Sequence, residues 1–153
     1  MGKNIIHPLR TIAITALCLS FICSCDKKPM NDDLDGNWQL LDINYKNSTG
    51  IYDSIVSKKE QKVFFAFQLK LMNVSKMNIS NILSRFRYTK DSLFLYDFYR
   101  RGYPNDTLIT DEHTKILNDV GIDGNKADFK IETLNSHTLK LSSDYAKLLF
   151  RKF

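Results

Sequence analysis

Cysteine is what this chain runs short of first. Its three cysteines are Cys18, Cys23 and Cys25, and every position beyond Cys25 is something else. That absence excludes a disulfide framework from the body of the chain. Histidine is nearly as scarce, with His7, His113 and His137. No H-x-x-x-H, C-x-x-C or G-x-S-x-G spacing occurs, so no familiar metal site or nucleophile is spelled out. A nucleophile needs a base and an orienting partner within reach. His137 sits in the polar turn Asn135-Ser136-His137, and His113 follows Asp111 and Glu112, where acids suit the start of a short helix. Neither proposes a catalytic trio, so no catalytic residue, metal or cofactor is expected. There is also no low-complexity segment and no internal repeat beyond paired strands. Charge of one sign is missing at the front, since no acid precedes Asp26 while Lys3 and Arg10 do.

What is there begins with Thr11–Cys23, an apolar run shorter than the roughly 20 residues that span a bilayer. A basic flank, a short apolar run and a small residue at its end describe a secretory signal. The net charge is +5, but Lys3 and Arg10 belong to that leader, and the remaining excess is too small to argue for nucleic acid. Asp26 to Asp33 is polar and holds Pro29, the composition of a flexible tether. Within it Asn31-Asp32-Asp33-Leu34-Asp35-Gly36 has oxygens in calcium-loop phase. Such loops want Asp first, a bidentate Glu last and flanking helices, whereas an apolar strand follows here.

Ile22-Cys23-Ser24-Cys25 resembles a bacterial lipobox. Cys18 follows Leu17 and Cys23 follows Ile22, so only Cys25 has the small residue before it. The resemblance implies a diacylglycerol on the Cys25 thiol, cleavage before it, and loss of Cys18 and Cys23 with the leader. The expected division is a signal over 1–24, a lipid-anchored tether over 25–33 and one domain over 34–153. A domain with no disulfide must be held by its core.

Through that domain the apolar period is two. Val63, Phe65, Phe67, Leu69 and Leu71 share one face. Phe86 and Tyr88 share another, turn residues Thr89 to Ser92 follow, and Leu93 to Tyr99 completes a hairpin. Three more short strands lie in Ala127–Leu134, Thr138–Asp144 and Tyr145–Phe153. Gly36–Tyr45 opens the domain, but Trp38 and Leu40 differ in parity from Leu41, Ile43 and Tyr45, which predicts a bulge. Ile51 to Val56 suggests a short strand, Asn73 to Leu83 is ambiguous, and Asp111 to Asn118 suggests a helical turn stopped by Gly121. The strands must close into a barrel or stack as a sandwich, and only closure removes the edges.

Gly36-Asn37-Trp38 resembles the G-x-W that opens the first strand of lipocalin-like domains. Gly121-Ile122, FKIETL, LKL and the terminal LLFRKF are similar to the end of the small lipocalin-like domains of Bacteroidetes lipoproteins. The resemblance implies an all-β, antiparallel up-and-down β-barrel of about eight strands with one short helix. It implies that Gly36 and Trp38 close one barrel end under an arginine from the last strand, Arg151 being the candidate. The chain lacks the disulfide of true lipocalins and is shorter. With no glycine on the inward faces, a small or filled interior is expected.

Phe94, Tyr96 and Phe98 alternate with Leu93 and Leu95, so both faces of that strand are apolar. With Arg100, Arg101 and Tyr103 they form the expected interaction surface. Asp53-Ser54-Ile55, Asp91-Ser92-Leu93 and Asp106-Thr107-Leu108 resemble the sites that Bacteroidetes O-glycosylate, placing the glycans on Ser54, Ser92 and Thr107. Two of the three fall at predicted turns. The expected protein is a non-catalytic lipoprotein on the periplasmic or surface face of the outer membrane. Its partners are the membrane, through the anchor, and a protein, or else a small apolar ligand in the barrel. Cys25→Ala is expected to give an uncut or soluble product. A variant that is still acylated and still fractionates with membranes would refute the lipobox reading.

Overall fold

The computed structural model describes residues 29–76, 79–110 and 114–153. Cys25 and the Asp111–His113 stretch lie outside them. Among the described residues ten strands run in chain order: β1 (Gly36–Lys46), β2 (Tyr52–Ser57), β3 (Phe64–Gln68), β4 (Leu71–Lys76), β5 (Ile79–Tyr88), β6 (Ser92–Arg100), β7 (Thr107–Leu108), β8 (Ala127–Leu134), β9 (Thr138–Ser142) and β10 (Ala146–Lys152). One helical turn, α1 (Lys115–Asn118), precedes β8. The ring β1-β3-β4-β5-β6-β8-β9-β10 is closed by β1 pairing antiparallel with β10 from Trp38↔Lys152 to Tyr45↔Ala146. The fold is therefore a closed eight-stranded antiparallel barrel and not a sandwich.

β2 and β7 lie off the ring. The first half of β1 pairs with β3 and its second half with β2. Likewise the first half of β6 pairs with β8 and its end with β7. Bulges mark the bends. On β1 the register slips between Leu40 and Asp42, as the parity clash predicts. The bulge sends Leu41 outward, away from Ile43, with which it shares parity. On β6 the slip lies opposite Ser84, and Asp97 takes a left-handed φ of 54°. Asp tolerates that conformation better than most residues. The buried Ser84 hydroxyl lies 2.9 Å from the Tyr96 carbonyl, filling the gap in the ladder.

The alternation over Val63–Leu71 is not one strand. The chain turns at Leu69, whose φ is 57°, and Leu69 and Leu71 stand 58% and 51% exposed. The ambiguous Asn73–Leu83 stretch belongs to a β4–β5 hairpin, with Val74 opposite Ile82. Ile51–Val56 does hold a strand, β2, though Ile55 is exposed.

The ring has two ends. The base carries the β3–β4, β5–β6 and β8–β9 turns and the start of β1. The mouth carries the β9–β10 turn and the α1 segment. Leu117, Val120 and Ile122 of that segment are buried with the barrel core. Gly121 makes this possible, with a φ of 80°; an added Cβ would sit 2.3 Å from Leu148 Cδ2 and 3.3 Å from Ile43 Cγ2. Gly121→Ala is therefore expected to push the plug off the mouth and cost about 1–3 kcal/mol, read as a lower denaturation midpoint. An unchanged midpoint would show that α1 does not press on the barrel wall.

Candidate functional site

Among the described residues the interior is lined mainly by apolar side chains. Trp38, Leu40, Phe65, Phe67, Phe129 and Phe150 are all essentially unexposed. Phe65 meets Phe150 edge to face at 5.0 Å and Phe67 meets Phe86 at 5.4 Å. Such pairs fill the lumen of an eight-stranded barrel. Among the described residues, no group of three or more His, Cys, Asp or Glu side chains is placed to hold a metal ion. Ser136 Oγ lies 2.8 Å from His137 Nδ1, but both sit in an exposed turn.

At the base, Trp38 is wholly buried and its indole N–H donates to the Leu34 carbonyl at 2.8 Å. The expected arginine is not its cover. Arg151 points to the outer wall, where its Nε donates to Gln39 Oε1 at 3.0 Å. The residue after it has the inward parity, so Lys152 Nζ lies 4.8 Å from the Trp38 ring centroid. That ammonium also donates to the Asp33 carbonyl at 2.6 Å. Gly36 fits beneath it with a φ of 118°, an added Cβ meeting Lys152 Cε at 3.1 Å. The segment expected to be free tether is fixed sooner than Asp33: Asn31 is buried, and its amide donates to Asp35 Oδ1 and to the Leu69 carbonyl.

The outer wall of β5 and β6 carries part of the expected interaction surface. Phe94 and Tyr96 stack at 5.7 Å, and the Arg87 guanidinium lies 4.9 and 5.9 Å from their rings. Arg100, Arg101 and Tyr103 are exposed farther toward the mouth, but Arg100 lies opposite the buried Ile82 and so shares the face of Phe98, not that of Phe94 and Tyr96. Phe98 does not belong to it. The bulge at Asp97 reverses the parity and buries Phe98 completely. Of the expected glycosylation residues, Ser54 is exposed on β2 and Thr107 exposed on β7, while Ser92 is half-buried at the start of β6. None of the three stands in an open turn.

A family model described as a lipocalin-like domain matches residues 17–153. The chain belongs to that lipocalin-like family. It is similar to a lipocalin-like protein from Bacteroides uniformis, with 22% identity, 79% of this chain and 99% of that one covered, and a TM-score of 0.53. It is also similar to an uncharacterised protein from Bacteroides eggerthii, with 17% identity, 78% and 99% coverage, and a TM-score of 0.51. At these identities the likeness is one of fold. No curated protein matches.

The mouth of this lipocalin-like barrel holds what sequence reasoning missed. Lys58 is buried, and its Nζ reaches Asp119 Oδ1 at 2.9 Å, while Lys76 Nζ reaches Asp119 Oδ2 at 2.7 Å. The Tyr45 phenol donates to the Asn118 carbonyl at 2.9 Å. Burial pushes Tyr45 up to about 12, with Tyr145 and Asp119 adding to the shift. These groups come from two connections and two strands, with no spacing in the sequence to join them. A lone Asp just before a Gly stop was the one available signal.

Burial alone would raise the Asp119 carboxyl, but the hydrogen bonds from Lys76 and Lys58 outweigh it and hold the group below its ordinary value. The folded state therefore binds this proton less readily than the unfolded chain. The stability so gained is present above about pH 4 and is lost as pH falls through the folded value. Asp119→Asn is expected to be less stable than the native chain at neutral pH, with the two urea midpoints converging in acid. A gap that stays constant through the acid range would refute the clamp. Its size is modest, since Asp119 is 45% exposed.

Proposed function

We propose that the protein is a non-catalytic, lipid-anchored module of the outer membrane that uses its barrel as a packed scaffold and acts through its outer wall on a protein partner. The observation that carries this reading is the filled interior, covered at the base by Leu34 and Trp38 and at the mouth by Leu117, Val120 and Ile122. Lipocalin-like folds are in general binding folds. A ligand pocket usually joins an apolar wall to a few fixed polar groups, and the core described here is mostly aromatic and aliphatic, with Tyr45, Tyr88 and Tyr145 packed against it. The Arg87–Phe94–Tyr96 stack and the exposed Arg100, Arg101 and Tyr103 supply the aromatic and arginine anchors enriched at protein interfaces. Their charge suits an acidic partner surface. The base is the end from which the chain leaves toward Cys25, so an anchored barrel would keep its mouth away from the bilayer and hold the Arg87–Phe94–Tyr96 stack, beside the β5–β6 turn, nearer to it.

Native mass spectrometry of the anchored protein from its own host tests the scaffold reading. The mass is expected to be that of the chain, its anchor and any glycans. A stoichiometric additional lipid or other small molecule, lost on unfolding, would overturn the packed scaffold in favour of a carrier.

A further inference from the structure

The fork where β1 parts from β3 to join β2 leaves a cleft of about 490 Å³ on the outside of the barrel. That volume falls within the range of small-molecule sites. Its floor is apolar on what should be a solvent face. Leu41 is turned into it by the β1 bulge, and Phe64 meets Phe153 edge to face at 5.0 Å. Phe153 remains 77% exposed. Lys59, Lys62 and Arg151 surround this floor, with the Glu60 side-chain carboxylate beside them.

Two features show that the cations are placed and not merely present. Gln39 is only 6% exposed, and its amide is spent on both sides: Oε1 accepts from Arg151 Nε, and Nε2 donates to the Lys59 carbonyl at 3.2 Å. It thereby fixes the guanidinium and the Lys59 turn against opposite walls. Lys62 takes a left-handed φ of 47°, a conformation that costs a non-glycine residue free energy. Among the described residues neither Lys62 nor Arg151 has a carboxylate within ion-pair distance, and Lys59 reaches Asp42 only at 3.9 Å.

We propose that this cleft binds an anionic amphiphile, a carboxylate, sulfate or phosphate head on a single apolar body. The head meets Arg151 and Lys62, and the body lies along Leu41, Phe64 and Phe153. The proposal is independent of the anchor and of the β5–β6 strip. The amphiphile comes either as a free monomer or from the surface of an anionic bilayer.

The test is photo-crosslinking of the full anchored chain in phosphatidylcholine vesicles with a diazirine-bearing decanoic acid, followed by peptide mapping. Adducts are expected on Leu41, the Lys59–Phe64 segment and the C-terminal residues, suppressed by decanoate and not by decanol. The double variant Lys62→Gln/Arg151→Gln is expected to need about tenfold more probe for equal labelling. Both residues are exposed, so folding should survive, and Phe153→Ser supplies a second variant that acts on the body instead of the head. If vesicles containing phosphatidylglycerol suppress the adducts, the site is supported and its ligand comes from the bilayer; if they do not, it is supported for the free monomer. Adducts on interior residues such as Phe129 or Leu139, or cleft labelling indifferent to both variants and to the head group, would overturn the proposal.

Discussion

The antiparallel pairing of β1 with β10 is the constraint on which the rest of the structure depends. It leaves the ring without a free edge, and it fixes the number of strands around the lumen. Eight strands give a lumen of about the width that side chains can fill. Once the ring is shut, Trp38, Phe65 and Phe150 have one place to go: all three are buried, and Phe65 meets Phe150 edge to face. The interior becomes the hydrophobic core that a domain with no disulfide requires. On the proposed reading, recognition is then left to the outer wall.

The outer wall is not a plain solvent face, because the barrel bends by bulging. Each bulge adds one residue and reverses which side chains look out. At Leu41 the bulge exports a leucine beside a fork in the sheet, and the cleft with Arg151 and Lys62 forms there. At Asp97 the bulge withdraws Phe98 into the core and leaves Phe94 and Tyr96 outside under Arg87. The two features that suit binding thus arise from the same device that lets the sheet close. The mouth is closed by a different means. Asp119 gathers Lys58 from the β2–β3 connection and Lys76 from the end of β4 over the α1 turn, and Gly121 lets that turn approach Leu148 closely.

Hairpins and the bulge in β1 were legible in the sequence, because period-two alternation and a parity clash are local signals. Phe86 and Tyr88 against Leu93 and Leu95 show this. The β3–β4 turn was not legible, since Leu69 and Leu71 continue the apolar alternation and no Gly or Asn betrays the left-handed residue. Phe98 was assigned to the wrong face for a related reason: alternation carried past Asp97 inverts, and only a lone acid in an apolar run hinted at the bulge. Arg151 and Lys152 are neighbours of opposite parity, so one residue of register decided which of them covers Trp38. The Lys58–Asp119–Lys76 clamp and the cleft at Gln39 join segments far apart in the chain, and only the closed ring brings them together.

The central claim is that the mouth is a structural plug and the barrel a solid scaffold. Native-state hydrogen exchange measures this most directly, at the amides of Val120, Gly121 and Ile122, which bond back to Leu117 and Asn118. If the plug is part of the core, these amides exchange only through global unfolding, as slowly as the amides of the β1–β10 seam. Exchange of the plug amides orders of magnitude faster than the seam, in a barrel that otherwise stays protected, would show a lid that opens and would contradict the account.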